Sequence, residues 1–231
     1  MATLRILSAG AAQAVTERIV DAFKRTTGCD VVADFGAVGA MKARMEGGEN
    51  IDVIVLTQVM IDELSSADKV EASSRVDLGT VATGVAVRAG TTVPDIADGE
   101  RLRSVILARR RVVCPDPAIA TAGKVVMALV EKLGIARQVE SRLQFHPNGY
   151  AAMRWLAQSG TDDDLGITQA TEIRANKGVS YAGPLPEGYQ ANTVYSAAAA
   201  RCASEAALAR AFLSRYADAT GRTWLREAGY D

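Results

Sequence analysis

Few side chains in this sequence are equipped for catalysis. Its one histidine, His146, is the only side chain whose unperturbed pKa suits proton transfer at neutral pH, although a histidine at a strand end also serves as a cap or a packed residue. The three cysteines, Cys29, Cys114 and Cys202, lie far apart without a CxxC pair. They read as buried thiols in a reducing setting, not as a disulfide framework or a zinc site. One histidine and no clustered ligands give no expectation of a metal, and nothing in the sequence asks for an organic cofactor. Lys42 and Lys124 stand in first helical turns beside loops, as bases or carboxylate partners if desolvated and as ordinary solvated charges otherwise.

The backbone offers more. An apolar run at residues 4–7 leads into the small-residue loop Ser8-Ala9-Gly10-Ala11 and then a helical pattern to Thr27. A second strand, residues 30–35, enters another such loop, Gly36-Ala37-Val38-Gly39. The first N–H groups of a helix lack intrahelical partners and its dipole end is positive, so a loop of this kind suits an anion. Ser, Thr, Asp or Asn at the helix start would satisfy those donors internally. Ala11 and Gly39 cannot. Small residues also let helix and strand pack closely, so a single loop carries little weight. The motif recurs after residues 112–114, where loop 116–123 precedes a helix carrying Val125, Val126, Leu129, Val130 and Leu133. A fourth junction, His146-Pro147-Asn148-Gly149-Tyr150-Ala151, precedes a helix with Met153, Leu156 and Ala157. Ser8 and Thr121 are candidate hydroxyl donors, and Asn148 is either a donor or the cap of its own helix.

The elements that must hold these loops alternate between strand and helix. Helix one presents Val15, Ile19, Ala22 and Phe23 on one stripe. Residues 51–56 form a nearly continuous apolar strand, as expected for a parallel sheet covered on both faces. Strand, helix, strand in succession implies right-handed crossovers. Further strands are predicted at 81–87, 165–168 and 179–181, and residues 193–199 suit either strand or helix. A helix over 203–217 is predicted to turn Leu208, Ala211, Phe212 and Tyr216 inward, with Trp224-Leu225 closing the chain. Arg109-Arg110-Arg111 reads as a solvated edge and Asp162-Asp163-Asp164 as a turn.

The bulk numbers set outer limits. With 231 residues, the chain suits one large domain or two small ones. It is 48% hydrophobic and 23% charged with a formal charge of −1, which argues against nucleic acid or an anionic membrane as a partner. No apolar run reaches the roughly 18 residues of a membrane span, and the first residues lack the pattern of a secretory leader. The expectation is a cytoplasmic protein, or a periplasmic one whose signal peptide has been replaced by a methionine.

Several stretches together resemble the molybdate-binding branch of the type II periplasmic solute-binding family, which includes aconitate-isomerase-like members. They are Phe23-Lys24-Arg25, Gly28, Asp30-Val31-Val32 and Phe35, then Met45-Glu46-Gly47-Gly48 with Ile51-Asp52-Val53. Asp116-Pro117, Ala122-Gly123, Leu165-Gly166-Ile167 and Gly183-Pro184-Leu185-Pro186 follow in order. The resemblance covers nearly the whole chain. It implies a two-lobed α/β fold, each lobe a mostly parallel sheet flanked by helices, with the ligand in a cleft between lobes. Lobe one would be residues 1–80 plus 190–231 and lobe two residues 81–189, closing by hinge motion around 81–87 and 179–186. All four junctions would then present uncapped helix starts to one anion.

The resemblance also places ligand contacts one by one. A serine of the first loop falls on Ala11, beside Gly10 and Ser8, and a second serine falls on Val38, beside Gly39. Amide contacts fall on Ala122, beside Thr121, and near Ala151, beside Tyr150. A tyrosine that closes the site falls on Gln169. All three hydroxyl donors are absent, and each missing hydrogen bond to a charged group costs roughly 1.5–3 kcal/mol. That loss points away from molybdate toward a larger anion, a di- or tricarboxylate. The alternatives are a cofactor-free isomerase shifting a proton on an unsaturated tricarboxylate, with His146 as its base, and a molybdate receptor. An exported receptor would partner an ABC transporter permease.

Overall fold

A computed structural model describes residues 2–231. The chain divides into two compact units, Met1–Val81 with Thr193–Asp231, and Ala82–Asn192. The first begins with β1 (Thr3–Ala9), a 3-10 turn at Gly10–Ala12, α1 (Gln13–Thr27), β2 (Asp30–Gly36), α2 (Val38–Glu46), β3 (Val53–Thr57) and α3 (Gln58–Ser66). Each crossover from strand to strand passes through a helix, so β1 pairs in parallel with both β2 and β3. Val53, Ile54, Val55 and Leu56 are fully buried, as their unbroken apolar run predicts. Gly28 ends α1 in the left-handed conformation at φ +69°, its N–H returning to the Lys24 carbonyl.

Strand β4 (Val76–Arg88) carries the chain into the second unit. There follow α4 (Gly99–Ala108), β5 (Arg111–Pro115), α5 (Thr121–Lys132), α6 (Ala136–Val139), β6 (Leu143–His146), α7 (Gly149–Ser159), β7 (Asp164–Gln169), α8 (Ala170–Arg174) and β8 (Val179–Pro184). β5 runs parallel to β6 and β7, and β4 runs antiparallel to β7 and β8. Side-chain alternation divides the core in two. Val85, Val112, Leu165 and Ile167 pack with Ile106 of α4 and with Val126 and Val130 of α5. Their neighbours Ala86 and Val113 pack with Met153 and Leu156 of α7 and Ile173 of α8. The two helices that follow small-residue loops in this unit thus join different core clusters.

The chain then returns to the first unit as β9 (Asn192–Ala199), α9 (Ala206–Ala217) and α10 (Ala219–Ala228). Residues 193–199 are therefore strand, antiparallel to β3. The inward face of α9 differs from the predicted one: Ala209, Phe212, Leu213 and Tyr216 are buried, whereas Ala211 is exposed. Phe212 and Tyr216 lie on both faces, and the packed helix brings Leu213 in and leaves Ala211 out. Phe212 meets Phe23 edge-on, and the Tyr216 hydroxyl lies 2.6 Å from the Thr16 hydroxyl on α1. Cys29 and Cys114 are buried, but Cys202 is exposed.

Two charged segments also depart from expectation. Arg111 is no solvated edge: its guanidinium bonds both carboxylate oxygens of Asp164, at 2.8 and 2.9 Å, and lies over the Trp155 ring. Asp164 is no turn residue. It is fully buried as the first residue of β7 and also accepts from the Thr161 backbone N–H. The arginine beside it and the N–H and hydroxyl of Thr161 outweigh burial and hold its carboxyl below the usual range. No helix among the described residues is long and apolar enough to cross a membrane.

Candidate functional site

Among the described residues, the eight helices of nine residues or more differ at their N-termini. Thr57, Asp98, Asn148 and Asp218 cap α3, α4, α7 and α10, each side chain accepting a backbone N–H of the first turn. At α9 no side chain caps the first turn, and the N-cap residue Glu205 gives its own N–H to the Asp52 carboxylate at 3.0 Å. Ahead of α1, α2 and α5 no capping side chain bonds. These three starts contain Ala11, Val38 and Ala122.

In the first unit, Ser8 is fully buried at the end of β1 and its hydroxyl donates to the Ala9 carbonyl at 3.2 Å. That bond keeps the hydroxyl local. The following turn buries Gly10, Ala11 and Ala12, and the Ala11 carbonyl accepts the Tyr230 hydroxyl at 3.1 Å. Tyr230 meets Tyr195 edge-on, and Asp231 exchanges backbone hydrogen bonds with Thr80. Tyr230 thereby holds the first small-residue loop, and Asp231 anchors Tyr230 to β4. Ala37 precedes α2, where Val38 is buried and Gly39 half-buried. Lys42, one turn on, is paired with Glu63 at 2.6 Å and Glu46 at 3.6 Å, which raises its pKa. It is an ion-pair partner, not a desolvated base.

In the second unit, Ala120 precedes α5, with Thr121 as first helical residue and Ala122 and Gly123 buried. The side chain of Asp116 closes its own loop by accepting the Ala118 N–H at 2.8 Å. A Cβ on Gly123 would stand 2.4 Å from the Pro115 carbonyl, so only glycine lets α5 start so near β5. Lys124 is exposed.

The start of α7 corrects the expectation of four bare junctions. Asn148 caps it, taking the Ala151 N–H at 2.8 Å. The amides of Gly149 and Tyr150 face a side chain the sequence reading passed over, Glu172 of α8. Its carboxyl is buried, accepts the Thr168 hydroxyl at 2.6 Å, and also receives the backbone N–H of Gln169. Burial pushes its pKa up to about 7 against the pull of these donors. Gln169 is buried as the last residue of β7, with Thr83 as its cross-strand partner. A sequence signal for Glu172 exists: an acidic residue at the third helical position after a strand is half a capping box. The partner position holds Gln169, not Ser or Thr, so the motif is incomplete.

His146 ends β6. Its imidazole shares a 3.1 Å contact with the Gln144 amide and lies tilted 5.6 Å from the Trp155 ring. Burial lowers its pKa. Trp155 sits six positions into α7, about 9 Å along the axis at 1.5 Å per residue. The imidazole thus packs along the helix flank. Among the described residues no group of His, Cys, Asp and Glu is arranged to hold a metal ion.

Comparison with known proteins bears on the family and the fold. An aconitate isomerase from Pseudomonas sp is 26% identical over 98% of this chain and 87% of its own length. Among solved structures, the periplasmic molybdate-binding protein of Azotobacter vinelandii has a TM-score of 0.80 at 20% identity, covering 99% of this chain and 98% of that one. The sulfate-binding protein SubI of Mycobacterium tuberculosis has a TM-score of 0.76 at 18% identity, covering 100% of this chain and 86% of that one. The family of bacterial extracellular solute-binding proteins matches residues 4–231. With strand order, crossovers and family match in agreement, this chain belongs to the bacterial extracellular solute-binding proteins.

Proposed function

We propose that the chain binds a small organic anion, a di- or tricarboxylate, through backbone N–H groups at its bare helix starts. One observation carries this reading. Where four other long helices have a first-turn amide taken by Thr57, Asp98, Asn148 or Asp218, the starts around Ala11, Val38 and Ala122 have no such cap. These are the positions to which the family resemblance assigns ligand contacts. Gln169 is the further ligand contact in this reading, and Ser8, Gly10, Gly39 and Thr121 shape the same loops.

The absence of hydroxyls at Ala11, Val38 and Gln169 favours carboxylates over molybdate. A compact tetrahedral oxyanion needs a donor for each lone pair at short range, and three lost donors amount to about 10³-fold or more in affinity. Thermal unfolding with molybdate, sulfate, cis-aconitate, trans-aconitate, citrate and tricarballylate tests the reading. The expected result is stabilisation by one or more carboxylates. Stabilisation by molybdate alone would overturn it.

A second reading is favoured by the relative named aconitate isomerase: the same site shifts a proton on an unsaturated tricarboxylate without a cofactor. His146 would carry that proton. Incorporation of solvent deuterium at the allylic position of aconitate separates the readings, because a receptor leaves its ligand unlabelled. Unchanged exchange in His146→Ala would remove His146 from the reaction. As a receptor, the protein would deliver its anion to an ABC transporter permease.

A further inference from the structure

Two helices of the second unit, α7 and α8, share one acid at their starts. Glu172 is the third helical residue of α8, and its carboxyl reaches back to the N–H of Gln169, which precedes that helix. The same carboxyl faces the first two N–H groups of α7, on Gly149 and Tyr150, and accepts the Thr168 hydroxyl at 2.6 Å. A Cβ on Gly149 would lie 1.9 Å from its Oε2 and 2.0 Å from Thr168 Oγ1. Glycine there is what admits the carboxyl. The third amide of the turn, that of Ala151, goes to Asn148. A carboxyl group held among helix-start amides is how such sites bind a foreign anion. Here the chain supplies the group itself.

We propose that Glu172 is the resident occupant of the α7 start and a positioning residue for the second unit. It fixes the backbone of Gln169 and the turn at 148–151, and it leaves α5 as the helix start in this unit that takes a ligand's negative charge. The assignment to α5 rests on the anion-binding reading above; the occupancy of α7 does not. A tethered carboxyl also sets the preference of that junction, since a second negative charge against it is repelled.

Thermal unfolding and amide hydrogen exchange on the full chain, slightly above neutral pH, test this with Glu172→Ala and Glu172→Gln. Excess formate is compared with chloride at equal ionic strength. Glu172→Ala is expected to melt lower, to regain much of that loss in formate and not in chloride, while the wild type responds alike to both salts. Exchange at Gly149, Tyr150 and Gln169 is expected to rise about tenfold or more in Glu172→Ala, with Glu172→Gln between it and the wild type. Equal effects of formate and chloride on Glu172→Ala overturn the proposal. Should that variant fail to fold, the proposal is overturned by Glu172→Gln exchanging these three amides at wild-type rates. Formate rescue needs no knowledge of the natural ligand. Success there beside a failed carboxylate panel overturns the anion-binding reading alone.

Discussion

The starts of α5 and α7 are a matched pair with opposite outcomes. Each helix follows one of two neighbouring parallel strands, and the strand ends stand in register, Pro115 beside His146. Each has a glycine in its first turn against which nothing larger fits, Gly123 and Gly149. At α7 the amides are taken by Asn148 and Glu172; at α5 the residue before the helix is Ala120 and no side chain caps it. The difference teaches that a strand-loop-helix junction is only the frame of an anion site. Whether it receives a ligand depends on whether the fold has already filled it.

The comparison breaks most severely at Gly149. Gly149→Ala must displace the Glu172 carboxyl and strand several donors, at a cost of about 4 kcal/mol, or roughly 8–16 °C in Tm for a chain of this size. A melting temperature within a degree or two of wild type would show that the carboxyl moves aside freely.

Acid titration sharpens the same end of the pair. The Glu172 pKa is raised from 4.5 to about 7 in the folded chain, so the native state holds a proton that the unfolded chain releases. That contribution to stability is complete below about pH 4.5 and lost as pH rises through about 7. Glu172→Gln has no such proton to lose. The stability advantage of wild type over this variant is therefore expected to narrow with rising pH across the window, read by denaturant unfolding at several pH values. An advantage that widens would reverse the sign of the pKa shift.

At α5 the inverse experiment is available. Ala120→Asp supplies the missing cap and should stabilise the free protein by about 0.5–1 kcal/mol. By taking the same amides it should weaken anion binding about tenfold or more. Stabilisation without weaker binding, compared by unfolding and titration calorimetry, would exclude the α5 start from the site. The smallest effect belongs to the cap at α7: Asn148→Ala should cost about 1 kcal/mol, roughly 2–4 °C in Tm, without passing a ligand to Ala151.

Much of this was legible in the residues and some was not, for reasons that differ by position. The bare starts were readable because the lack of a cap is local: Ala11, Gly39 and the alanines around Ala122 cannot accept an N–H. The strands were readable from unbroken apolar runs such as 53–56. The filled start of α7 was only half visible. Asn148 announces itself one residue before its helix, but Glu172 arrives from a five-residue helix whose pairing depends on how α7 and α8 pack. Arg111 and Asp164 were misjudged likewise, because their hydrogen bonds span 53 residues and each looks like surface charge alone. The face of α9 was misphased because leucine and alanine spacing allowed two registers. Phe212 and Tyr216 fit both, and the packed helix turns Ala209 and Leu213 inward in place of Ala211.

The first unit is assembled from both sides of the second. Strand β3 pairs with β9, and the loop at Ala11 is held by Tyr230, so during synthesis on the ribosome residues up to 81 wait for partners that emerge after residue 192. Residues 82–192, by contrast, carry the mutual pairings of β5, β6 and β7 and of β4 with β7 and β8 once translated. Nascent chains should therefore acquire protease resistance in the middle before the beginning, a vectorial order opposite to the usual one.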